Sequence, residues 1–241
     1  MLRKLLKYEF IGTGRACGLL YTAVPVVALL LGLLTRFKLD GGMLFGMVLM
    51  LFMGLCIAAI CLSIYVMVNR FNQNLLGDEG YMMFTLPAET WQHIVCKVIN
   101  ALIWMVICSV MFFLSFLLIA LSSATLDDFR EFFTMLQYLF QNLQFSTDDL
   151  VFILQLFTLM TLSTVSIITH VYAAISIGHL WRNHTGIGAT IAAIVIMIFF
   201  FYALDFVNPT TFGLGVLFFV VIIALYSAIT WFILDRNLNL A

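Results

Sequence analysis

Residues 43–68 read MLFGMVLMLFMGLCIAAICLSIYVMV and contain no Asp, Glu, Lys or Arg. A helix needs roughly 20 apolar residues to cross about 30 Å of hydrocarbon, so this stretch can span a membrane. Five more long runs lack the same four residue types: 17–35, 98–121, 150–178, 187–204 and 213–234. Open strands would leave backbone groups unpaired in lipid, and the runs lack the alternation of a barrel. The sequence therefore predicts an all-α polytopic membrane protein, one domain over 1–241 with six transmembrane helices.

The composition of the chain excludes several other classes of protein. Of its 241 residues, 64% are hydrophobic and 10% are charged, against about 45–50% and 25% in soluble domains. A chain this apolar is neither a soluble domain nor intrinsically disordered. Its net charge of -1 and its lack of a basic stripe argue against a nucleic acid as partner. Membrane lipid is the expected surrounding.

The basic residues predict the orientation, because Lys and Arg accumulate in cytoplasmic loops. Six spans place both termini on one side, which carries eight basic residues: Arg3, Lys4, Lys7, Arg15, Arg70, Lys97, Arg182 and Arg236. The opposite side carries three: Arg36, Lys38 and Arg130. We therefore expect a multi-pass protein of the cell (plasma) membrane with cytoplasmic N- and C-termini.

Two local patterns predict how helices are placed. Residues 1–15 put Leu and Phe on one helical face and Arg and Lys on the other, which favours an amphipathic helix in the inner interface. A charge cluster that only sets the topology is the alternative. On the second span, the residues at every fourth position are small apart from Met50, a spacing that predicts close helix packing: Gly42, Gly46, Gly54 and Ala58.

The spans and motifs also limit the chemistry that this chain can perform. No charged residue lies at mid-membrane, which disfavours proton coupling, although sodium coupling through carbonyls and hydroxyls stays open. The chain has no H-E-x-x-H, G-x-S-x-G or phosphate-loop motif, so we expect no enzyme and no ATPase here. His179 and His184 are five residues apart, a poor spacing for one helical face, so we expect no metal.

The cytoplasmic loop 69–97 carries an unusual apolar cluster. Asp78 and Glu79 precede Tyr81 and Phe84, and Pro87 ends the cluster. Aromatic and Met side chains flanked by acids suit docking into a groove of a partner protein. A turn that lies against the lipid interface fits the same residues, and the residues alone do not decide between the two.

A resemblance to a known family favours docking. The block from Gly77 to Pro87, GDEGYMMFTLP, followed by Lys97, resembles the cytoplasmic loop of type-two ABC exporter permeases, most of all the small six-span permeases of Gram-positive bacteria. The opening residues 2–10, LRKLLKYEF, resemble the interfacial helix of that family less specifically. In topology the resemblance covers the whole chain.

The resemblance implies a membrane subunit that works with a separate ATPase. It assigns ATPase coupling to a helix within 69–97: Asp78, Glu79, Gly80, Tyr81, Met82, Phe84, Thr85, Leu86 and Pro87. It assigns a secondary ATPase contact to the next cytoplasmic loop: Trp181, Arg182, Asn183 and His184. It also implies a second permease subunit, identical or different, with ATP and Mg²⁺ bound by the ATPase and no cofactor on this chain.

The external connections depart from the family pattern. Many members insert re-entrant helices between spans five and six, whereas residues 205–212 are short here. The long external segment is 122–149, whose apolar spacing predicts a helix over 126–145 on the outer leaflet. We expect an amphipathic peptide or a lipid as substrate. A non-transporting membrane scaffold or immunity protein, and an ion-coupled carrier, are the alternatives.

Overall fold

The computed structural model describes residues 2–76, 89–142, 147–181 and 184–236. They form seven α-helices: α1 (Leu2–Arg36), α2 (Met43–Phe71), α3 (Thr90–Ser123), α4 (Leu126–Asn142), α5 (Thr147–Gly178), α6 (Thr185–Val207) and α7 (Phe212–Arg236). A π-helical turn, Asn72–Leu76, continues α2. The structure is 92% helical, and its described residues contain no strand. The all-α fold class is confirmed.

Six helical segments are long and apolar enough to cross a membrane: Cys17–Arg36, Met43–Leu76, Thr90–Ser123, Thr147–Gly178, Thr185–Val207 and Phe212–Asp235. The predicted multi-pass helical membrane protein is therefore confirmed. The third span begins at Thr90 rather than at 98, because uncharged residues precede Lys97 and continue the helix. Lys97 consequently lies two turns inside α3 instead of at its first residue.

The N-terminal segment is not a separate helix. A single helix, α1, runs for 35 residues from Leu2 to Arg36 with Pro25 inside it. At 1.5 Å per residue it is about 52 Å long, well beyond the roughly 30 Å of hydrocarbon. The amphipathic residues 2–15 and the first span are therefore one continuous element, whose N-terminal third extends past the span.

The chain divides into two compact units. The first contains Met1–Ile11, Tyr65–Ile103 and Val151–Ala241, and the second contains Gly12–Ile64 and Trp104–Leu150. In the second unit, α1 and α3 pack closely at Gly32, where an added Cβ would lie 2.8 Å from the carbonyl oxygen of Ile119. In the first unit, Phe218, Ile222 and Tyr226 of α7 form a core with Ala173 of α5.

Two helices of the first unit approach each other closely at the α5–α6 connection. A Cβ added to Gly178 would lie 2.4 Å from the backbone nitrogen of Ala189. By contrast, no described atom lies within 4 Å of a Cβ built on Gly46 or Gly54. Gly46 and Gly54 of α2 therefore form no close helix contact with the described residues.

The segment between the third and fourth spans contains the predicted helix. It forms α4 over Leu126–Asn142, and residues 143–146 lie outside the described part. Thr125 and Asp128 cap its start reciprocally, since the Thr125 backbone nitrogen donates to Asp128 Oδ2 at 2.7 Å and the Asp128 nitrogen to Thr125 Oγ1 at 3.4 Å. These donors lower the pKa of the Asp128 carboxyl. Phe132 and Phe133 of α4 are exposed.

Candidate functional site

The structure describes both ends of the predicted coupling loop but not its centre. Residues 77–88 lie outside the described residues, and so do all nine predicted coupling residues: Asp78, Glu79, Gly80, Tyr81, Met82, Phe84, Thr85, Leu86 and Pro87. The described ends are the π-helical turn Asn72–Leu76 and the start of α3 at Thr90. The contacts that hold these two ends determine which helices would move if a partner displaced the loop.

The first end of the loop is packed against α5. Phe71, the last residue of α2, stacks on Tyr172 with ring centroids 4.2 Å apart and planes 9° apart. Leu75 and Leu76 of the π-helical turn are buried. Short π-helical segments recur at functional sites because they widen the helix and redirect its side chains. Here the turn presents alternate Asn side chains to two different partners.

A buried ion pair joins the start of α1 to α3. Lys97 Nζ donates to Glu9 Oε1, and each side chain is only 5% exposed. Lys97 Nζ also donates to the carbonyl oxygen of Arg70 at 3.3 Å, and Asn74 Nδ2 donates to Glu9 Oε1 at 3.2 Å. Three segments that are remote in sequence therefore meet at one carboxylate and one ammonium group.

This ion pair explains how a charged residue is accommodated in α3. Lys97 is the only Asp, Glu, Lys or Arg in that 34-residue helix. Burying a single charge is expensive, whereas a buried charge that is paired and hydrogen-bonded is tolerated. Glu9, the only acidic residue of α1, supplies that partner. Removal of either residue would leave the other as a buried charge without its counter-ion.

Tyr172 and His179 extend the site to α5 and to the residue just after it. The Tyr172 hydroxyl donates to the carbonyl oxygen of Lys97 at 3.3 Å. His179 Nε2 lies 2.6 Å from Asn72 Oδ1, and since that oxygen only accepts, the imidazole donates from Nε2. Burial lowers the pKa of His179 below its ordinary value. Burial therefore favours the neutral imidazole, while donation from Nε2 to Asn72 is open to the neutral and the protonated ring alike.

We call these residues the loop-base cluster: Glu9, Asn72, Asn74, Lys97, Tyr172 and His179. Among them, only Lys97 was predicted from the sequence to stand beside the loop. The signal that could have found Glu9 is its place as the one acidic residue of a helix whose other charges are basic, since Lys97 is likewise the one charged residue of an apolar helix. Their pairing could not be read from the sequence, because 88 positions separate Glu9 from Lys97.

The second predicted contact is partly described. Trp181 is half exposed and His184 is exposed, while Arg182 and Asn183 lie outside the described residues. The Trp181 ring lies against the start of α6, where a Cβ on Gly188 would be 2.9 Å from Trp181 Cε3. Of this connection, it is His179 rather than His184 that contacts the loop base.

Comparison with known proteins identifies no relative. No protein-family model, curated protein or solved structure matches this chain. Within the described ranges, no group of three or more His, Cys, Asp or Glu side chains could hold a metal ion. The features of this chain that bear on function are therefore the loop-base cluster and the motif of the loop itself.

Proposed function

We propose that this chain is the membrane-spanning permease subunit of an ATP-driven ABC exporter. It forms the translocation pathway and couples through loop 69–97 to a separate ATPase subunit that binds ATP and Mg²⁺. The observation that supports this proposal most is the loop-base cluster, which bonds both ends of that loop to other helices. The resemblance of the Gly77–Pro87 block to the coupling loops of such permeases points to the same role.

A loop that transmits force needs rigid attachments. If its ends were loose, movement of a partner would be absorbed by the loop itself. Here the ion pair of Glu9 and Lys97, the stack of Phe71 on Tyr172 and the bond from His179 to Asn72 connect the loop ends to α1 and α5. Chains of packed and hydrogen-bonded groups of this kind can carry coupling between sites. Displacement of the loop by an ATPase would thus reach those two helices.

Assignment to an ABC exporter also implies a subunit composition, an orientation and a class of substrate. The assembly contains two permease subunits, identical or different, and two ATPase subunits, with both termini of this chain cytoplasmic in the plasma membrane. An amphipathic substrate, peptide or lipid, suits a cavity of about 530 Å³ between the start of α5 and the α6–α7 connection. Its lining mixes apolar side chains with Gln155, Ser163 and Thr211, as amphipathic ligands require.

The test is reconstitution with a phosphate-loop ATPase, which is sought first in the reading frames next to that of this chain. Both proteins are placed in vesicles, and binding and stimulation of ATP hydrolysis are measured for Glu79→Ala and Phe84→Ala. Interface hot spots cost at least about 2 kcal/mol when truncated, so we expect binding to weaken more than tenfold and stimulation to fall to the level of the ATPase alone. Glu131→Ala and Phe206→Ala, which remove exposed side chains outside the loop, should retain full stimulation.

The alternatives give different outcomes in the same vesicles. An ion-coupled carrier would move substrate under an ion gradient without the ATPase. A scaffold or immunity protein would show neither ATPase stimulation nor transport, and it would tolerate changes in the loop. Stimulation that is equal in the loop variants and the unaltered chain would refute coupling through this loop.

A further inference from the structure

Helices α3, α5 and α7 enclose a second cavity in the first unit. It is a groove of about 350 Å³ with an almost wholly apolar lining. Its only hydroxyl-bearing residues are Thr169 and Ser227, and the Thr169 hydroxyl bonds to Val165 O and Ser166 O of its own helix. The walls of the groove therefore suit a hydrocarbon chain and offer little to a polar ligand.

The groove begins at one end of the spans and runs inward along them. Its outer end carries Trp91 near the start of α3 and Trp231 near the end of α7, which are 49% and 43% exposed. Its inner lining reaches Ile99 on α3 and Ile223 on α7, eight residues deeper on each helix. At 1.5 Å per residue the groove is about 12 Å long. Tryptophan favours the membrane–water interface, so its outer end lies at head-group level.

The rim beside the two tryptophans is acidic. Glu89 accepts a hydrogen bond from Trp91 Nε1, and Asp235 Oδ1 lies 3.5 Å from Thr90 Oγ1. Both carboxylates belong to exposed residues. The nearby Lys97 is buried and paired with Glu9, so its charge is already matched inside the cluster. Among the described side chains, the fixed charge at the rim is therefore negative.

We propose that this groove binds one acyl chain of a membrane lipid whose head group carries a primary amine. The medium around the spans is hydrocarbon, and an apolar groove open to it at head-group level is filled by a lipid chain. The carboxylates of Glu89 and Asp235 accept charge-assisted hydrogen bonds from an ammonium N–H. An anionic phosphoglycerol head group is repelled, and a quaternary choline head group has no N–H to donate. The site contains none of the nine residues to which coupling is assigned, Asp78 to Pro87, so it can be tested separately from ATPase coupling.

The first experiment measures lipid selection by the unaltered chain. The protein is incorporated into nanodiscs of equimolar phosphatidylethanolamine, phosphatidylglycerol and phosphatidylcholine with identical acyl chains, and it is then delipidated and examined by native mass spectrometry. We expect one retained phosphatidylethanolamine per chain, enriched several-fold over each of the other two lipids. Retention of no lipid, equal retention of all three, or a co-purified peptide in place of lipid would overturn the proposal.

Substitutions separate the groove from the rest of the surface. Ala228→Phe fills the groove and should abolish retention, while Ala224→Phe, an equally exposed position of α7 outside the lining, should not. Both side chains are on the surface, so size-exclusion profiles should remain unchanged. Equal retention in the two variants would place the bound lipid elsewhere.

The rim is tested by removing its charge. Glu89→Gln with Asp235→Asn should keep one bound lipid but lose the preference for phosphatidylethanolamine over phosphatidylglycerol. Asp205→Asn, which neutralises an exposed carboxylate near the end of α6, should keep that preference. Quenching of Trp91 and Trp231 by brominated acyl chains gives a second readout, and it should fall in Ala228→Phe. An unchanged preference in the rim variant would refute the role of the two carboxylates.

Discussion

At the scale of single residues, the structure explains two charged side chains that are unusual for the helices in which they occur. Lys97 stands alone in an apolar helix and Glu9 stands alone among basic residues, and each neutralises the other with 5% exposure. Such pairs contribute little net stability compared with apolar packing, but breaking one is costly. We therefore expect the ion pair to act mainly by selecting which helices meet at the loop base. Its net contribution to the free energy of unfolding is small.

The ion pair predicts a non-additive pattern of stability. Glu9→Gln or Lys97→Met alone leaves a buried charge without its counter-ion and should destabilise the protein by about 3–5 kcal/mol. The double variant should recover a large part of that loss, since no buried charge remains. Melting temperatures in detergent, followed by tryptophan fluorescence, measure both effects. Lys7→Met and Glu131→Gln, at exposed positions, should change little, and additive losses in the double variant would contradict a direct pair.

His179 predicts a dependence of stability on pH. Burial lowers its pKa in the folded protein below the ordinary value of about 6.5. As the pH falls through 6.5, the unfolded chain binds the proton first, so stability decreases until the folded imidazole is also protonated. The unaltered protein should thus melt at a lower temperature at pH 5.5 than at pH 7.5.

The matched variant is His179→Gln, whose amide can still donate to Asn72 but does not titrate. Its melting temperature should fall less over the same pH interval, so the difference in melting temperature between the two proteins should change as the pH falls. Identical pH profiles would show that His179 does not contribute to the dependence.

At the scale of elements, the helices extend beyond the uncharged runs that predict them. α3 begins at Thr90 and α2 continues through a π-helical turn to Leu76, so both helices reach past the apolar residues into the loop. Hydropathy marks the part of a helix that lies in lipid, whereas hydrogen bonding and tertiary contacts decide where it ends. Close packing likewise depends on the tertiary structure. A glycine is required only where the backbone of a neighbouring helix leaves no room for a Cβ, and the sequence does not show where that occurs.

The α5–α6 connection predicts a contrast between two glycines. In Gly178→Ala the new Cβ would approach the Ala189 backbone to 2.4 Å, which forces the helices apart. Overpacking of this kind costs about 1–3 kcal/mol, so the melting temperature should fall. Gly186→Ala, on α6 with no described atom within 4 Å of the new Cβ, should be neutral or slightly stabilising. An equal response of the two variants would contradict the close approach at Gly178.

At the scale of the whole molecule, the proposed orientation rests on two features: the even number of spans and the uneven distribution of basic residues. The six helical segments follow from length and hydropathy. Eight basic residues on the side of the termini against three on the other favour cytoplasmic termini. This orientation also places the loop-base cluster on the side where ATP is available.

Single cysteines introduced into a cysteine-less background test the orientation. A membrane-impermeant maleimide added to intact cells should label Asp40→Cys, in the connection between α1 and α2. His184→Cys, at the start of α6, should be labelled only after the membrane is permeabilised. Both positions are exposed, so accessibility depends on the side of the membrane alone. The reverse pattern would invert the protein and exclude a cytoplasmic ATPase at loop 69–97.

By itself, the sequence determined the fold class, the six spans and the helix between the third and fourth spans. These properties depend on local hydropathy and periodicity, which each stretch of chain carries within itself. The family motif in the loop is likewise a local property, although its coupling role remains a prediction.

Only the tertiary structure decided which residues meet. It paired Glu9 with Lys97, brought His179 rather than His184 to the loop base, and placed the close approach at Gly178 instead of Gly46. It also assembled the Trp91–Trp231 groove from three helices. Each of these contacts joins residues distant in sequence, and it depends on how helices rotate and pack against one another. Hydropathy is nearly uniform around most of these helices, so it does not specify that rotation.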